Sequence, residues 1–204
     1  MFKYVVEGSY PIRGTIRASG NKNAALPCIA ASLLTDEEIV LRNVPDIEDV
    51  QVMLRILSRL GSTVEHPAEG EFRIRTTNIA SSELPVDEAK RVRASILLAG
   101  PMLARTGKVV LPPPGGDVIG RRRLDTHFIA LSALGARVES DGLFVLSSNK
   151  LIGKDIFLDE ASVTATENAI MAAVLAEGET IIEHAASEPH VQDLCYMPTA
   201  MRAQ

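Results

Sequence analysis

The sequence predicts an α/β (α+β) fold in which helices are packed inside short outer sheets. A unit of small-residue helix, turn and strand occurs three times, at residues 30–41, 99–111 and 172–183. The strands of these units are separated by about 70 to 72 residues, which is longer than the repeats of solenoid proteins. Three such copies in 204 residues predict a pseudo-threefold arrangement within one domain.

An amphipathic helix follows the first two copies. Residues 124–135 repeat the pattern of residues 50–61, with Phe128, Leu131 and Leu134 on the inward face. Gly61 is suited to end the first of these helices. Helical spacing places on one apolar stripe the residues Val50, Met53, Leu54, Leu57 and Leu60.

A strand is predicted after each amphipathic helix, at residues 62–65 and 136–139. The second strand continues through the turn at 140–142 into a further strand at 143–146. The alanine-rich helix at 166–176 is apolar nearly all round, which predicts burial at the centre of a trio of helices.

The third copy departs from the pattern near its end. A helix beginning at Val191 meets Pro198, and a proline inside a helix costs about 3 kcal/mol or more. Arg202 stands where a closing glycine is expected, and no strand follows. We therefore expect residues 196–204 to be a truncated or non-native tail that follows an incomplete third repeat.

Composition excludes several classes of protein. The net charge of -5 and the pI near 5.4 argue against nucleic acid as a partner. The sequence has neither an apolar run of about 18 residues nor a signal peptide, so we expect no membrane partner and a cytoplasmic location. Cys28 and Cys195 have no spacing typical of a disulfide framework or a zinc site, and we expect no metal or cofactor.

Residues 112–123 have a composition suited to a phosphorylated anion. Gly115 and Gly116 allow positive φ angles and close backbone approach, and prolines stiffen the entry to the turn. Asp117 precedes the run 121–123 of three arginines, whose planar guanidiniums can clamp phosphate or carboxylate oxygens. Without further residues, a solvated surface loop is an equally good interpretation.

Four motifs in order resemble the UDP-N-acetylglucosamine enolpyruvyl transferase family, over about residues 1–195. These are residues 20–27 (GNKNAALP), 91–96 (RVRASI), 115–122 (GGDVIGRR) and 161–168 (ASVTATEN) followed by 175–178 (LAEG). The resemblance implies two inside-out α/β barrel domains of three repeats each, with the active site between them, and this chain is similar to the first. It implies that residues 21–195 form the first domain, with an incomplete third repeat, and that residues 1–20 form N-terminal strands that normally pack in the second domain. It implies transfer of the enolpyruvyl group of phosphoenolpyruvate to the 3-hydroxyl of UDP-N-acetylglucosamine, with release of phosphate, in the first committed step of peptidoglycan synthesis.

The resemblance gives Asp117 the position of the family's general acid, which is usually a cysteine. A carboxyl group can deliver the proton if burial raises its pKa toward neutrality. Because a carboxylate is a poorer nucleophile than a thiolate, the resemblance also implies insensitivity to the epoxide antibiotic fosfomycin.

Substrate contacts are implied for further matching positions. Lys22 and Asn23 match a phosphoenolpyruvate-contacting pair, and Arg93 matches a nucleotide-sugar contact. The segment that meets the uridine and phosphates corresponds to Arg122, Arg123, Leu124, Asp125 and Thr126, of which Arg122 also reaches phosphoenolpyruvate. His127 is expected to be structural or bonded to a partner.

Alternatives remain open at this point. One is a shikimate-pathway enolpyruvyl transferase, and another is a non-catalytic UDP-sugar-binding fragment. The family's catalytic aspartate base and further arginines belong to the second domain, so we expect little or no turnover by this chain alone. Self-association through apolar surface and a sheet edge exposed by the truncation is a further expectation.

Overall fold

The computed structural model describes residues 3–116 and 123–201. Two 3₁₀ helices cover Ser32–Leu34 and Arg93–Leu98. The α-helices in these ranges are α1 (Lys22–Ala31), α2 (Glu48–Arg59), α3 (Val86–Ala89), α4 (Ala99–Thr106), α5 (Asp125–Ala133), α6 (Val163–Ala173) and α7 (Pro189–Ala200). The strands are β1 (Ile39–Leu41), β2 (Thr63–Ala68), β3 (Glu71–Arg75), β4 (Lys108–Leu111), β5 (Arg137–Asp141), β6 (Leu143–Ser147), β7 (Asp155–Phe157) and β8 (Ile181–Glu183).

Each repeat contributes one small sheet. The first has the order β1-β3-β2 and the second β4-β6-β5, both antiparallel, so the predicted strands of the first two repeats are confirmed. The third sheet pairs β7 with β8 in parallel, with Ile156 opposite Ile182. In the second repeat, an isolated parallel bridge joins Glu83 to Val110 of β4. The second and third repeats therefore both contain a strand with a parallel neighbour, which confirms that they are related.

Three helical segments form the centre, as the sequence predicts: α1, α6, and the 3₁₀ helix Arg93–Leu98 together with α4, which follows it directly. Helix α6 packs against α4 and against the 3₁₀ helix Arg93–Leu98, and that 3₁₀ helix packs against α1. Gly100 permits the closest approach, since a Cβ there would lie 2.6 Å from the carbonyl oxygen of Asn168. With the sheets outside, this is the fold of buried helices and short outer sheets that the sequence predicts.

The amphipathic helices cover this centre. In α2 the apolar stripe is buried, and Gly61 follows the helix with φ +105°, a conformation that favours glycine. In α5, Leu131 and Leu134 are buried as predicted, whereas Phe128 is half-buried and packs against Phe144 with ring centroids 4.9 Å apart.

The N-terminal segment differs from its prediction. Residues 3–20 form no strand, and their apolar side chains are exposed, with Tyr4 91 % and Ile12 92 % accessible. An extended segment becomes a strand only when another strand takes its backbone hydrogen bonds, and none within the described residues does so. Their packing against a second domain stays a prediction.

The helix break expected at Pro198 is wrong. Helix α7 runs to Ala200 with Pro198 inside it. Pro198 has no N–H to donate to the Leu194 carbonyl, but the helix continues beyond it, since Met201 N–H donates to the Met197 carbonyl at 3.0 Å. The Thr199 hydroxyl also donates to the Cys195 carbonyl at 3.0 Å. This continuity counts against a non-native segment starting at residue 196, and the domain boundaries stay a prediction.

Candidate functional site

A cavity of about 430 Å³ opens where α1, α6 and the 3₁₀ helix Arg93–Leu98 meet. Lys22 and Asn23 line it from α1, Arg93 from the 3₁₀ helix, and Thr164 from α6. The structure therefore brings together three site residues that the sequence analysis selected from distant positions. A larger cavity of about 530 Å³ lies beside Arg17 and Arg42, but none of the predicted site residues lines it.

The start of α1 presents Lys22 to the cavity. The side-chain oxygen of Asn21 caps the helix by accepting a hydrogen bond from Asn23 N–H at 2.8 Å. The Lys22 ammonium forms a salt bridge with Asp49 of α2, which also lines the cavity. Asp49 was not selected from the sequence, since only the tertiary fold brings α2 to this point.

Arg93 connects the cavity to Arg123, the last residue of the arginine run. Its Nη2 donates to the carbonyl of Arg123 at 3.2 Å. Gly116 also lies close to Arg93: it has φ +92°, and a Cβ there would lie 3.1 Å from the Arg93 backbone nitrogen. A Cβ on Gly115 would lie 1.5 Å from the Lys90 carbonyl, so the expected close approach of these glycines is to the protein's own backbone.

The residues from Arg123 to Thr126 form a neighbouring polar cluster and do not line the cavity. Arg123 Nε donates to Asp125 at 2.9 Å and its Nη2 donates to Asp159 at 3.1 Å. The buried hydroxyl of Thr126 donates to Asp159 at 2.6 Å, and Leu124 is half-buried. The hydrogen bond from Arg93 links this cluster to the cavity.

Two predicted site residues lie outside the described residues. These are Asp117, predicted as the general acid, and Arg122, predicted as a substrate contact. Their roles stay predictions.

A buried hydrogen-bond network supports the cavity wall from behind. The Asn168 oxygen accepts from Gly100 N–H at 2.7 Å, so its amide nitrogen donates to the Ile96 carbonyl and to His127 Nδ1, both at 2.9 Å. His127 Nδ1 is therefore an acceptor, and its Nε2 carries the proton and donates to Thr164 Oγ1 at 3.1 Å. These two hydrogen bonds confirm the expected partner-bonded histidine, and burial and the Arg93 charge lower the His127 pKa to about 3.

Glu167 is a further residue of this site that the sequence analysis did not select. It lines the cavity from α6, one turn after Thr164, and is only 1 % exposed. Its Oε1 has no hydrogen-bond partner within the described residues. Burial, and secondarily the charge of Glu188, raise its pKa to about 8. The signal in the sequence was a single carboxylate inside the otherwise uncharged helix TATENAIMAA.

The part of the chain that the structure describes contains neither a metal-binding cluster nor a membrane-spanning helix. No group of three or more histidine, cysteine or acidic side chains there could hold a metal ion. No helix there is long and apolar enough to cross a bilayer.

The family model and the curated relatives that match this chain are all named as carboxyvinyltransferases. The family described as EPSP synthase (3-phosphoshikimate 1-carboxyvinyltransferase) matches residues 6–204. A UDP-N-acetylglucosamine 1-carboxyvinyltransferase of Treponema denticola is 62 % identical over 204 residues, covering 100 % of this chain and 48 % of the relative. The protein of the same name from Treponema pallidum is 63 % identical over 201 residues, covering 98 % and 47 %. The chain thus spans about half the length of the curated relatives it matches.

Solved structures agree on the fold. The enolpyruvyl transferase NikO from Streptomyces tendae has a TM-score of 0.78 at 21 % identity, covering 92 % of this chain and 44 % of that protein. EPSP synthase from Acinetobacter baumannii has a TM-score of 0.69 at 21 % identity, covering 88 % and 42 %. At these identities the likeness supports the fold alone.

Proposed function

Since the chain belongs to the family of EPSP synthase (3-phosphoshikimate 1-carboxyvinyltransferase), we propose that it is the first-domain part of an enzyme that transfers the enolpyruvyl group of phosphoenolpyruvate to the 3-hydroxyl of UDP-N-acetylglucosamine. The supporting observation is that Lys22, Asn23 and Arg93 line one cavity in a chain 62 % identical to a UDP-N-acetylglucosamine 1-carboxyvinyltransferase. The product would serve peptidoglycan synthesis.

The cavity chemistry fits anionic substrates. Lys22 supplies a compact charge for a phosphate, and Arg93 supplies a planar guanidinium that suits phosphate or carboxylate oxygens. We assign further substrate contacts to Asn23, Arg122 and the Arg123–Thr126 segment. Hydrogen bonds already hold that segment in position beside the cavity, which reduces the entropy cost of ordering it around a ligand.

Asp117 is assigned as the general acid. Protonation of the methylene carbon of phosphoenolpyruvate requires a group that holds a proton near neutral pH. A carboxyl group meets this requirement when its surroundings raise its pKa, and substrate phosphate would neutralise nearby arginines that act in the opposite direction. The catalytic base of the family is expected in the portion of the relatives that this chain does not cover.

Two other functions are distinguishable from this one. Transfer to a shikimate phosphate has support from the family description, whereas the relatives at 62 % and 63 % identity carry the nucleotide-sugar name. A non-catalytic UDP-sugar-binding role would leave binding intact and turnover absent even when the missing half is supplied.

Calorimetric titration of the purified chain tests the substrate assignment. We expect saturable binding of UDP-N-acetylglucosamine and none of shikimate 3-phosphate. Lys22→Ala and Arg93→Ala should each weaken binding about 10-fold or more, because each removes a charge-assisted contact. Lys108→Ala, on an exposed position of β4, is the matched control and should leave the affinity unchanged. Preference for shikimate 3-phosphate, or equal weakening by the control, would reject the assignment.

Phosphate release tests catalysis. We expect little or no release from phosphoenolpyruvate and UDP-N-acetylglucosamine by the chain alone, and release when the C-terminal half of a close relative is added. Steady turnover by the chain alone, free of host enzyme, would contradict the assigned position of the catalytic base.

A further inference from the structure

Glu167 is a buried acid with unused hydrogen-bonding capacity at the wall of the cavity. It is the one charged residue of α6, it is 1 % exposed, and its Oε1 lacks a partner among the described residues. A buried carboxyl that is held only for packing would normally have its oxygens satisfied, because an unpaired buried polar group is costly. An unsatisfied carboxyl on a residue that lines the cavity is therefore a candidate for contact with a ligand bound there.

The charged groups around Glu167 determine which form it takes. Lys22 on α1 is already paired with Asp49 on α2, and Arg93 donates to the Arg123 carbonyl. Glu188 and His190 line the same cavity from α7, and the Glu188 charge acts against a second carboxylate. Behind α6, His127 is neutral, and the Cys28 thiol is neutral because burial and nearby acids raise its pKa to about 11.

Neutral Glu167 is the form that suits an anionic ligand. An ionised carboxylate accepts hydrogen bonds only and would repel phosphate or carboxylate oxygens, whereas a carboxylic acid has one O–H to donate. Burial and the Glu188 charge both favour the acid, since they raise its pKa to about 8. The cavity thus combines two cationic side chains with one neutral acidic donor.

We propose that Glu167 contacts the bound ligand as a carboxylic acid and donates a hydrogen bond to one of its anionic oxygens, so that anion binding requires a proton on Glu167. This inference rests on the proposed function, which supplies the anionic ligand. Ligand binding then increases the affinity of the Glu167 carboxylate for its proton. Above the pKa of the free site, the affinity should fall by about 10-fold per pH unit, because each binding event must take up one proton.

Calorimetry of the full chain with UDP-N-acetylglucosamine, in buffers of different ionisation enthalpy, measures this proton uptake. For wild type we expect no uptake at about pH 6 and close to one proton per ligand at about pH 9. Glu167→Gln keeps a donor and cannot ionise, so it should bind with no uptake and no loss of affinity at the higher pH. Glu167→Val lacks the donor and should bind about 10-fold more weakly at both pH values.

Two controls make the outcome specific. Glu179→Gln removes an exposed carboxylate outside the cavity and should reproduce the wild-type pH profile. Glu188→Gln removes the neighbouring charge and should move the fall in affinity to lower pH, because the Glu167 pKa decreases. Circular dichroism of each variant confirms that it is folded.

The outcomes separate this inference from the proposed function. If Glu167→Gln shows the same proton uptake as wild type, the role of Glu167 is refuted and the nucleotide-sugar assignment stands. If wild type does not bind UDP-N-acetylglucosamine, that assignment fails, and a parallel titration with sulfate, whose charge is constant over this range, decides the role of Glu167. Sulfate binding that weakens at high pH in wild type and stays constant in Glu167→Gln supports it, and any other sulfate result refutes it.

Discussion

Protonation of His127 should destabilise the fold, and His127→Gln isolates this effect. In the folded protein His127 Nδ1 accepts from Asn168 and Nε2 donates to Thr164, so a second ring proton would face the Asn168 amide donor. Burial and Arg93 lower the pKa from 6.5 to about 3. A histidine with a depressed folded pKa stabilises the fold above its unfolded pKa, and that contribution is lost as the pH falls from about 6.5 toward 3.

The magnitude follows from the pKa difference. Each pH unit below the unfolded value removes about 1.4 kcal/mol of unfolding free energy, so about 2 to 3 kcal/mol should be lost between pH 6.5 and about pH 4.5. Glutamine cannot take up the proton. We therefore expect His127→Gln to cost about 1 to 3 kcal/mol at neutral pH, through its imperfect fit to the network, and much less relative to wild type at about pH 4.5.

Urea denaturation of wild type and variant at both pH values measures the difference. Taking the difference between the two proteins cancels the carboxylates that also titrate in this range, since both proteins carry them. The reasoning is refuted if the variant is destabilised by the same amount at both pH values, because His127 would then keep an ordinary pKa in the folded protein.

Three further outcomes are expected. Glu167 should have the opposite pH dependence, because its pKa in the folded protein is raised from 4.5 to about 8. The free energy of unfolding should therefore fall as the pH rises through this interval. Glu167→Gln should reduce the loss that urea denaturation measures between about pH 5 and 8. Arg105→Ala should cost about 2 to 4 kcal/mol in the same assay, since its guanidinium donates to four backbone carbonyls, whereas Arg59→Ala, which removes an exposed ion pair, should cost under about 1 kcal/mol. Fosfomycin should form no covalent adduct with the wild-type chain in intact-mass measurement, and Asp117→Cys should gain one if residue 117 has the assigned role; an adduct on wild type at Asp117 would contradict the assignment.

Local periodicity accounts for what the sequence predicted of the fold. The stripe of α2, the uncharged face of α6 and the hairpin at Gly142 each depend on residues within about 12 positions of one another, and all three are present in the structure. Pro198 shows the limit of a local rule. The missing N–H and the contact of the ring with the carbonyl four residues earlier disfavour a helix, yet they do not end α7, which runs to Ala200.

The site could be predicted in part, because resemblance to a family's motifs identifies matching residues without giving their partners. Lys22, Asn23 and Arg93 were selected in this way and do share one cavity. Their electrostatic surroundings come from other helices: Asp49 of α2 pairs with Lys22 of α1. Glu167 becomes a cavity residue only through the packing of α6, and no spacing along the chain indicates that packing.

A hydrogen-bond network connects the packing of the central helices to the wall of the cavity. The close approach that Gly100 allows places Asn168 where its oxygen can accept from Gly100 N–H, which leaves only the amide donor for His127. That donor fixes the tautomer of His127, and the tautomer directs a proton to Thr164 Oγ1. The Thr164 hydroxyl therefore keeps its own hydrogen for another acceptor, one helical turn from Glu167 on the same wall. The contact between α4 and α6 thus determines which atoms of the network donate and which accept. As a result, α6 can present two neutral donors, Thr164 and Glu167, to an anion in the cavity.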